Sequence, residues 1–253
     1  MLVCRYLRSV KMILSVILTP LFFLVFGLIL VLFHPIQVIA RNVLGPKAHD
    51  KTVFVLNLCL MRALHILGVR YSFNNFKKLP QDVPIIIISN HQSMWDIPTL
   101  IWKFRAQRPK FVAKKELAKG IPSISYNLRH GGSVAIDRKN PKEAVLKIKS
   151  FAKLVKENSF AVCIFPEGTR SRDGKIKPFK VAGVKAILDE IPEALVLPVA
   201  IKNTGIIDNN GKFLKNIGIR VAFTQLEPRK LNLSNLESEL IAINAEIKSV
   251  LES

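Results

Sequence analysis

The sequence predicts an α/β domain, a mixed β-sheet flanked by helices, preceded by an N-terminal hydrophobic helix pair. Two observations support this class. After residue 70, short continuous apolar runs of strand length alternate with longer amphipathic stretches, which is the pattern of buried strands between helices. Before residue 70 the chain is much more apolar and contains a long run without any charge. The predicted division is therefore 1–69 for the helix pair and 70–253 for one folded domain.

The N-terminal apolar run extends from Met12 to Phe33. As a helix it is roughly 33 Å long, against a bilayer hydrocarbon core of about 30 Å. It is too long for a secretory signal peptide, and no cleavage site is evident after it. Thr52–Gly68 predicts a second helix. Basic residues lie on both sides of the first run, so charge does not orient it, and both a full membrane span and a helix pair dipping into one leaflet stay open.

The elements after residue 70 follow from apolar periodicity and from end signals. Asn140 is a predicted N-cap, with proline in the first turn and glutamate at the third position of the helix that it begins. The Gly131-Gly132 pair predicts a turn into a strand that ends at Arg138. The predicted strands are Val83–Ser89, Phe160–Phe165, Ala194–Ile201 and Ile219–Phe223; the predicted helices are Pro141–Glu157, Phe179–Glu190 and Asn235–Leu251.

The formal net charge is +20, and the segment 103–185 carries 21 Lys and Arg against six Asp and Glu. Such an excess indicates an anionic partner, which can be nucleic acid, anionic lipid or a phosphorylated substrate. The alternative is a solvated face that keeps the protein soluble. The three cysteines, Cys4, Cys59 and Cys163, are odd in number and widely spaced, so we expect buried thiols in a reducing compartment, without a disulfide framework or zinc motif.

His91 and Asp96 follow the first predicted strand, and Pro98 fits the first turn of a helix after them. On a regular helix these side chains point about 140° apart, but in a turn they can meet. A carboxylate that accepts from one imidazole nitrogen leaves the other nitrogen to take a proton, as a general base does. The alternative is a helix-capping Asp96 beside a structural His91. No other His or Cys lies at metal-ligand spacing.

A second turn follows the second buried strand and contains Glu167, Gly168, Thr169, Arg170 and Arg172. Glycine lets a ligand approach the backbone, and guanidinium groups match phosphate oxygens. By itself this pattern is only a turn. The glycine pair at 131–132 is not the G-x-S-x-G of a serine hydrolase, and no serine nucleophile is indicated.

Together these segments resemble the glycerophospholipid acyltransferase family, and most closely its 1-acyl-sn-glycerol-3-phosphate acyltransferases. Asn90-His91 with Asp96 resembles the family's first motif, and Phe165–Arg170 resembles its Glu-Gly-Thr-Arg motif. The blocks Lys114–Leu117 and Gly132–Arg138 match the middle motif, and Leu197–Val199 the last, proline-centred one. The resemblance covers about 80–201 and implies the transfer of a fatty acyl group from acyl-CoA or acyl-ACP to the sn-2 hydroxyl of 1-acyl-glycerol-3-phosphate, giving phosphatidic acid.

The resemblance also implies residue roles. His91 is the general base, Asp96 orients it, and Lys114 steadies the negative charge of the tetrahedral intermediate. Substrate binding is implied for Arg138, Glu167, Gly168, Thr169 and Arg170, with the two arginines on the acceptor's phosphate. No metal, no cofactor and no covalent acyl-enzyme are implied, since acyl-CoA or acyl carrier protein is a co-substrate.

Three other functions stay open at this point. The acceptor can be another lysolipid, such as a lyso-aminolipid or lysophosphatidylglycerol; the acyl group can pass to water; or the chain can be a non-catalytic, basic, membrane-tethered binding module. A nucleic-acid partner is not expected, because no recognised nucleic-acid motif accompanies the charge. We expect a membrane protein with its active site on the cytoplasmic side, in a bacterial inner membrane.

Overall fold

A computed structural model describes residues 2–80, 82–171 and 174–253, with side chains from Ser9 onward; the side chain of Cys4 and the whole of Arg172 lie outside this part. The helices are α1 Leu2–Val43, α2 Pro46–Ala63, α3 Asp96–Lys103, α4 Ile124–His130, α5 Pro141–Glu157, α6 Val181–Leu188, α7 Thr204–Ile207 and α8 Leu236–Glu252. The strands are β1 Arg70–Asn74, β2 Ile85–Ser89, β3 Lys110–Lys114, β4 Val134–Ile136, β5 Val162–Ile164, β6 Leu195–Lys202 and β7 Arg220–Gln225.

Within the described residues the strands form one sheet in the order β1-β7-β6-β2-β5-β3-β4. Neighbouring strands are parallel except β6 and β7, which are antiparallel. The predicted mixed sheet is therefore confirmed. Strand β2 is buried along its whole length between β5 and β6, which explains its continuous isoleucine run. The carboxyl ends of β2, β5 and β6 meet at one edge of the sheet.

Helices cover both faces of the sheet. On one face α5, α6 and α8 pack on the side chains of Ile86 and Ile88. On the other face α1, α2 and α3 pack on Ile85 and Ile87, with Trp95 at the centre of that layer. Successive isoleucines of β2 thus point into opposite cores, as the period-two geometry of a strand requires.

Helix α5 has the predicted bounds, and the Asn140 side chain accepts a hydrogen bond from the Glu143 N–H at 3.3 Å. The predicted strands are present: β2 and β5 are shorter than predicted, β6 is shifted by one residue, and β7 extends two residues further. Strands β1 and β3 are additional. Strand β1 lies at the edge of the sheet and is half exposed, so its sequence lacks a buried apolar run. Strand β3 begins and ends with lysine, which hid it from a search for apolar runs.

The two N-terminal helices differ in character. Helix α1 continues through Pro20 and Pro35 to Val43, and among the described helices it alone has the length and apolar composition to cross a membrane. Helix α2 instead buries polar side chains, including Asp50 and Asn57, and packs on both α1 and α3. Helix α1 is therefore the possible membrane anchor. The predicted anchoring by a helix pair and the predicted boundary at residues 69 and 70 stay predictions.

A buried ion cluster attaches α2 to the sheet. The Asp50 carboxylate contacts the Lys110 ammonium at 2.6 Å and the Arg108 guanidinium at 2.7 Å. Lys110 is buried while Arg108 is partly exposed, and both cations lie 4.4 Å from the Phe160 ring centroid. Burial lowers the pKa of Lys110, and the neighbouring Asp50 carboxylate opposes that shift. The charged form of Lys110 therefore depends on the Asp50 carboxylate.

We expect the two single substitutions in this cluster to lower the free energy of unfolding by different amounts. Asp50→Asn leaves Lys110 buried without a counter-charge and should lower the free energy of unfolding by about 3–5 kcal/mol. Lys110→Met should cost much less, because Asp50 keeps Arg108, and adding it to Asp50→Asn should restore most of the loss. Urea unfolding in detergent followed by circular dichroism measures all three variants. Equal losses in the two single variants would contradict this account.

Candidate active site

The turn after β2 is held to the end of β6 by side chains that imitate strand pairing. The Ser89 hydroxyl donates to the Val199 carbonyl at 2.7 Å. The Asn90 amide donates to the Ile201 carbonyl and accepts from the Ile201 N–H, both at 2.8 Å. These bonds extend the β2–β6 pairing beyond the last strand residue, so the residue that follows, His91, begins from a fixed backbone position.

The structure brings His91 and Asp96 together. His91 Nδ1 lies 2.8 Å from Asp96 Oδ2, and the carboxylate is fully buried at the first residue of α3. The same oxygen accepts from the N–H groups of Gln92 at 2.8 Å and Ser93 at 3.0 Å. Because an ionised carboxylate only accepts, Nδ1 carries the proton and Nε2 is left as the acceptor. That is the tautomer which a general base requires.

The second turn, after β5, is fastened to the first. The His91 ring stacks on Phe165 with centroids 4.1 Å apart, and the Ser171 N–H donates to the His91 carbonyl at 2.7 Å. Glu167 accepts from the His91 N–H at 2.7 Å and from the Lys177 N–H at 3.1 Å. Burial raises the pKa of Glu167, and these two hydrogen bonds oppose that shift. Both Glu167 oxygens are therefore occupied by the protein's own backbone.

A cavity of about 460 Å³ opens beside His91 and Asp96, which we call the dyad. Its polar wall contains His91, Lys114, Arg138, Thr169 and Arg170. The remaining wall is mainly apolar and comes from both N-terminal helices and from α3 and α4, as in Phe26, Leu56, Leu60, Ile101, Ile124 and Leu128. The imidazole thus lies where a polar compartment meets an apolar one.

Two guanidinium groups share the polar compartment. Burial lowers the pKa of Arg138, and the like charge of Arg170 adds to this effect. Neither arginine forms an ion pair with any side chain in the described part of the chain. The Glu116 carboxylate, which is paired with Lys114, partly offsets the charge of Arg138. Two guanidinium groups that face one cavity are suited to an anion, since a bound anion relieves their mutual repulsion.

The other predicted site residues are placed differently. Lys114 lines the cavity, with its ammonium 3.3 Å from Glu116. Gly168 has a φ of 71°, and a Cβ there would lie 3.2 Å from Lys180 Nζ, so the turn needs glycine. Neither Glu167 nor Gly168 is among the residues that line the cavity, whereas Thr169 is. The predicted substrate roles of these residues stay predictions.

Sequence reasoning missed two residues that hold the dyad. Thr204, just after β6, donates from its hydroxyl to Asp96 Oδ1 at 2.5 Å. Asp208 accepts from the Trp95 indole N–H at 3.0 Å and from the Ser93 hydroxyl at 2.5 Å. More than one hundred positions separate these pairs in the chain, so local spacing carries no signal. A weak clue is that polar residues follow β6 at the same edge of the sheet.

Comparison with known proteins defines the class. The family model described as "Acyltransferase" matches residues 70–202, which is more than half of the chain. The chain therefore belongs to the acyltransferase family. Its fold is similar to that of the crystal structure of the 1-acyl-sn-glycerophosphate (LPA) acyltransferase PlsC from Thermotoga maritima, with a TM-score of 0.76 and 23% identity, covering 95% of this chain and 97% of that one.

The chain is also similar in sequence to several curated acyltransferases. The chain is 37% identical over 131 residues to a chloroplastic 1-acyl-sn-glycerol-3-phosphate acyltransferase, BAT2, of Brassica napus, covering 51% of this chain and 36% of that protein. It is 28% identical over 163 residues to the 1-acyl-sn-glycerol-3-phosphate acyltransferase of Borreliella burgdorferi, covering 64% and 61%. The matched segment thus spans between about a third and three fifths of these curated relatives' lengths.

We expect Thr204→Val to lower kcat about 10- to 100-fold, since a hydrogen bond to a buried charge contributes about 1.5–3 kcal/mol. The variant keeps the shape of the side chain but removes the only donor to Asp96 Oδ1 among the described residues. Thr204→Ser keeps the donor and should retain most of the activity. The measurement is steady-state acyl transfer.

The control is Thr224→Val, which removes another buried threonine hydroxyl from β7, away from the dyad. If Thr204→Val and Thr224→Val have equal activity, the hydroxyl of Thr204 does not support the dyad. If Thr204→Ser is as impaired as Thr204→Val, the cause is packing rather than the hydrogen bond.

Proposed function

We propose that this protein transfers a fatty acyl group from acyl-CoA or acyl-ACP to the sn-2 hydroxyl of 1-acyl-glycerol-3-phosphate, giving phosphatidic acid. One observation carries the proposal: the proton-accepting edge of His91 lies at the junction of an apolar cavity and two arginines that have no ion-pair partner among the described residues. A lysophospholipid has the matching parts, since its hydroxyl lies between a phosphate and an acyl chain. The names of the curated relatives agree with this acceptor.

The chemistry requires one base and no covalent intermediate. Nε2 of His91 takes the proton of the acceptor hydroxyl as its oxygen attacks the thioester carbonyl carbon. The carbon–oxygen bond forms, the carbon–sulfur bond breaks, and the imidazolium returns its proton to the leaving thiolate. Asp96 stabilises the transient imidazolium, as a buried carboxylate does for a catalytic histidine. Lys114, on the wall of the same cavity, is suited to the oxyanion of the tetrahedral intermediate.

The acceptor is selected by charge and shape. A phosphate monoester carries close to two negative charges, which match the guanidinium groups of Arg138 and Arg170. A lyso-aminolipid offers no such anion. The apolar wall suits an acyl chain, because burying each CH₂ contributes about 0.8 kcal/mol. In this arrangement Glu167 and Gly168 serve the acceptor by fixing the turn that presents Thr169 and Arg170.

The proposed mode of membrane attachment is based on how α1 is docked. From Ser15 to His34, roughly 28 Å of helix, α1 lies against the catalytic domain. The Ser15 hydroxyl donates to the Lys215 carbonyl at 2.6 Å near one end. The Ser123 N–H donates to His34 Nδ1 at 3.2 Å near the other. A helix flanked by a folded domain over this length cannot cross a bilayer straight, so we propose that α1 lies within the cytoplasmic leaflet.

His91→Ala should abolish acyl transfer because it removes the base, and it should leave the fold intact because Asp96 keeps its donors from Gln92, Ser93 and Thr204. The assay is thiol release from acyl-CoA by detergent-purified protein, with and without lysophosphatidic acid. His65→Gln is the matched control, since His65 lies just after the end of α2, does not line the cavity and contacts the nearby Val69 carbonyl through Nδ1. Wild-type turnover in His91→Ala would contradict the proposed mechanism.

Arg170→Ala should raise the acceptor KM at least tenfold with lysophosphatidic acid, while monoacylglycerol, which lacks the phosphate, should show little change. Arg220→Ala, an exposed arginine on β7, is the control. If the KM rises equally for both acceptors, Arg170 does not bind the phosphate of the acceptor. Acceptor-independent thiol release by the wild type would favour hydrolysis instead.

For the membrane proposal, single cysteines at Lys11 and Asn42 flank the docked part of α1 in a variant without native cysteines. Both should react with a membrane-impermeant maleimide in inverted membrane vesicles, and neither should react in intact cells. Both positions are exposed in the structure. Labelling of the two positions from opposite sides would establish a full span.

A further inference from the structure

The loop between α7 and β7 is joined to α1. The Ser15 hydroxyl donates to the Lys215 carbonyl at 2.6 Å, and the Lys215 N–H donates to the Thr19 hydroxyl at 3.1 Å. Two residues earlier in the loop, the Phe213 ring stacks on Phe23 of α1 with centroids 5.4 Å apart. The segment 212–214 is therefore an extension of the α1 surface, contributed by the catalytic domain.

Helix α1 has an inverted distribution of polarity. Its side toward the catalytic domain buries Ser15, Thr19 and Gln37, whereas the outward positions between residues 12 and 39 are all apolar. A helix in water shows the opposite arrangement, with its polar residues outside. An outward face without a polar side chain over this length is the face of a helix surrounded by lipid.

Phe213 continues that face. Its side chain is 62% exposed although it stacks on Phe23, and Lys212 beside it is also exposed. An aromatic ring next to a lysine is the combination found at the boundary between acyl chains and headgroups. The ring and the apolar face of α1 are adjacent, so a bilayer that covers one reaches the other.

We propose that the segment 212–214 is a second membrane-contact element, in which Phe213 enters the boundary of the acyl chains while Lys212 binds anionic headgroups. The proposal extends the membrane attachment of α1 proposed above. A helix lying in a leaflet can still roll about its own axis. A second contact to one side of that axis fixes the roll, and with it the direction in which the active-site cavity faces the bilayer.

Fluorescence quenching by brominated lipids tests this placement. The full chain, with Trp102 replaced by Phe, receives one new tryptophan at Phe213, Leu146 or Ile241. The three positions are comparably exposed, at 62%, 67% and 64%. Leu146 and Ile241 are matched controls because α5 and α8 cover the opposite face of the sheet from α1. The chains are reconstituted into vesicles that contain brominated phosphatidylcholine and phosphatidylglycerol.

Phe213→Trp should lose about half or more of its emission to the bromine atoms, and the two controls should lose little. Quenching no greater than in the controls would overturn the proposal. So would a blue-shifted, unquenched Phe213→Trp in a chain that dimerises in vesicles, because a second copy would then cover the ring. The measurement needs no turnover, so a failure of the proposed acyl transfer leaves it unaffected.

Adding Lys212→Gln to Phe213→Trp tests the proposed contact between Lys212 and anionic headgroups. In vesicles that contain phosphatidylglycerol, quenching should fall relative to Phe213→Trp alone, since one lysine near an anionic surface changes the affinity of a segment about fivefold. In vesicles of brominated phosphatidylcholine alone the two variants should be quenched equally. The same quenching with and without Lys212 at every lipid composition would remove the headgroup contact.

Discussion

A buried carboxylate without a cation beside it is the constraint on which the rest of the site depends. Asp96 is fully buried, and its hydrogen-bond partners are His91, two backbone N–H groups and the Thr204 hydroxyl. An isolated ionised carboxylate is too costly to bury, so several donors have to surround it. They come from the turn after β2 and from the chain after β6. These two strands are parallel neighbours that end at the same edge, which brings the donors together.

The same edge supplies the second half of the site. Strand β5 also pairs with β2 and ends beside it, so the turn that follows it lies against His91. Glu167 fastens that turn from behind, which frees Arg170 to face the cavity. The cavity's apolar wall comes from helices on one face of the sheet, whereas its two arginines follow β4 and β5, so the apolar and polar compartments belong to different structural layers.

Local chemistry predicted much of this arrangement. The cap at Asn140, the apolar runs of β2 and β5 and the positions of His91 and Asp96 depend on neighbouring residues, and the structure has them where the sequence indicated. Thr204 and Asp208 depend on strand order, which spacing does not encode. The surroundings of α2 could not be predicted either, because its leucines face α1 and the cavity, and its polar residue Asp50 pairs with side chains near the start of β3.

Asp208 joins two parts of the molecule that have been described separately. Its carboxylate accepts hydrogen bonds from the Ser93 and Trp95 side chains, in the turn between His91 and Asp96. The same carboxylate lies 3.4 Å from the ammonium of Lys215, whose backbone is hydrogen-bonded to α1. Helix α1 and the turn that contains His91 therefore belong to one hydrogen-bonded unit. Any coupling free energy between an amphiphile around α1 and a ligand in the site is reciprocal by thermodynamic linkage. A detergent that shifts the position of α1 would then act as an effector of the site as well as a solvent.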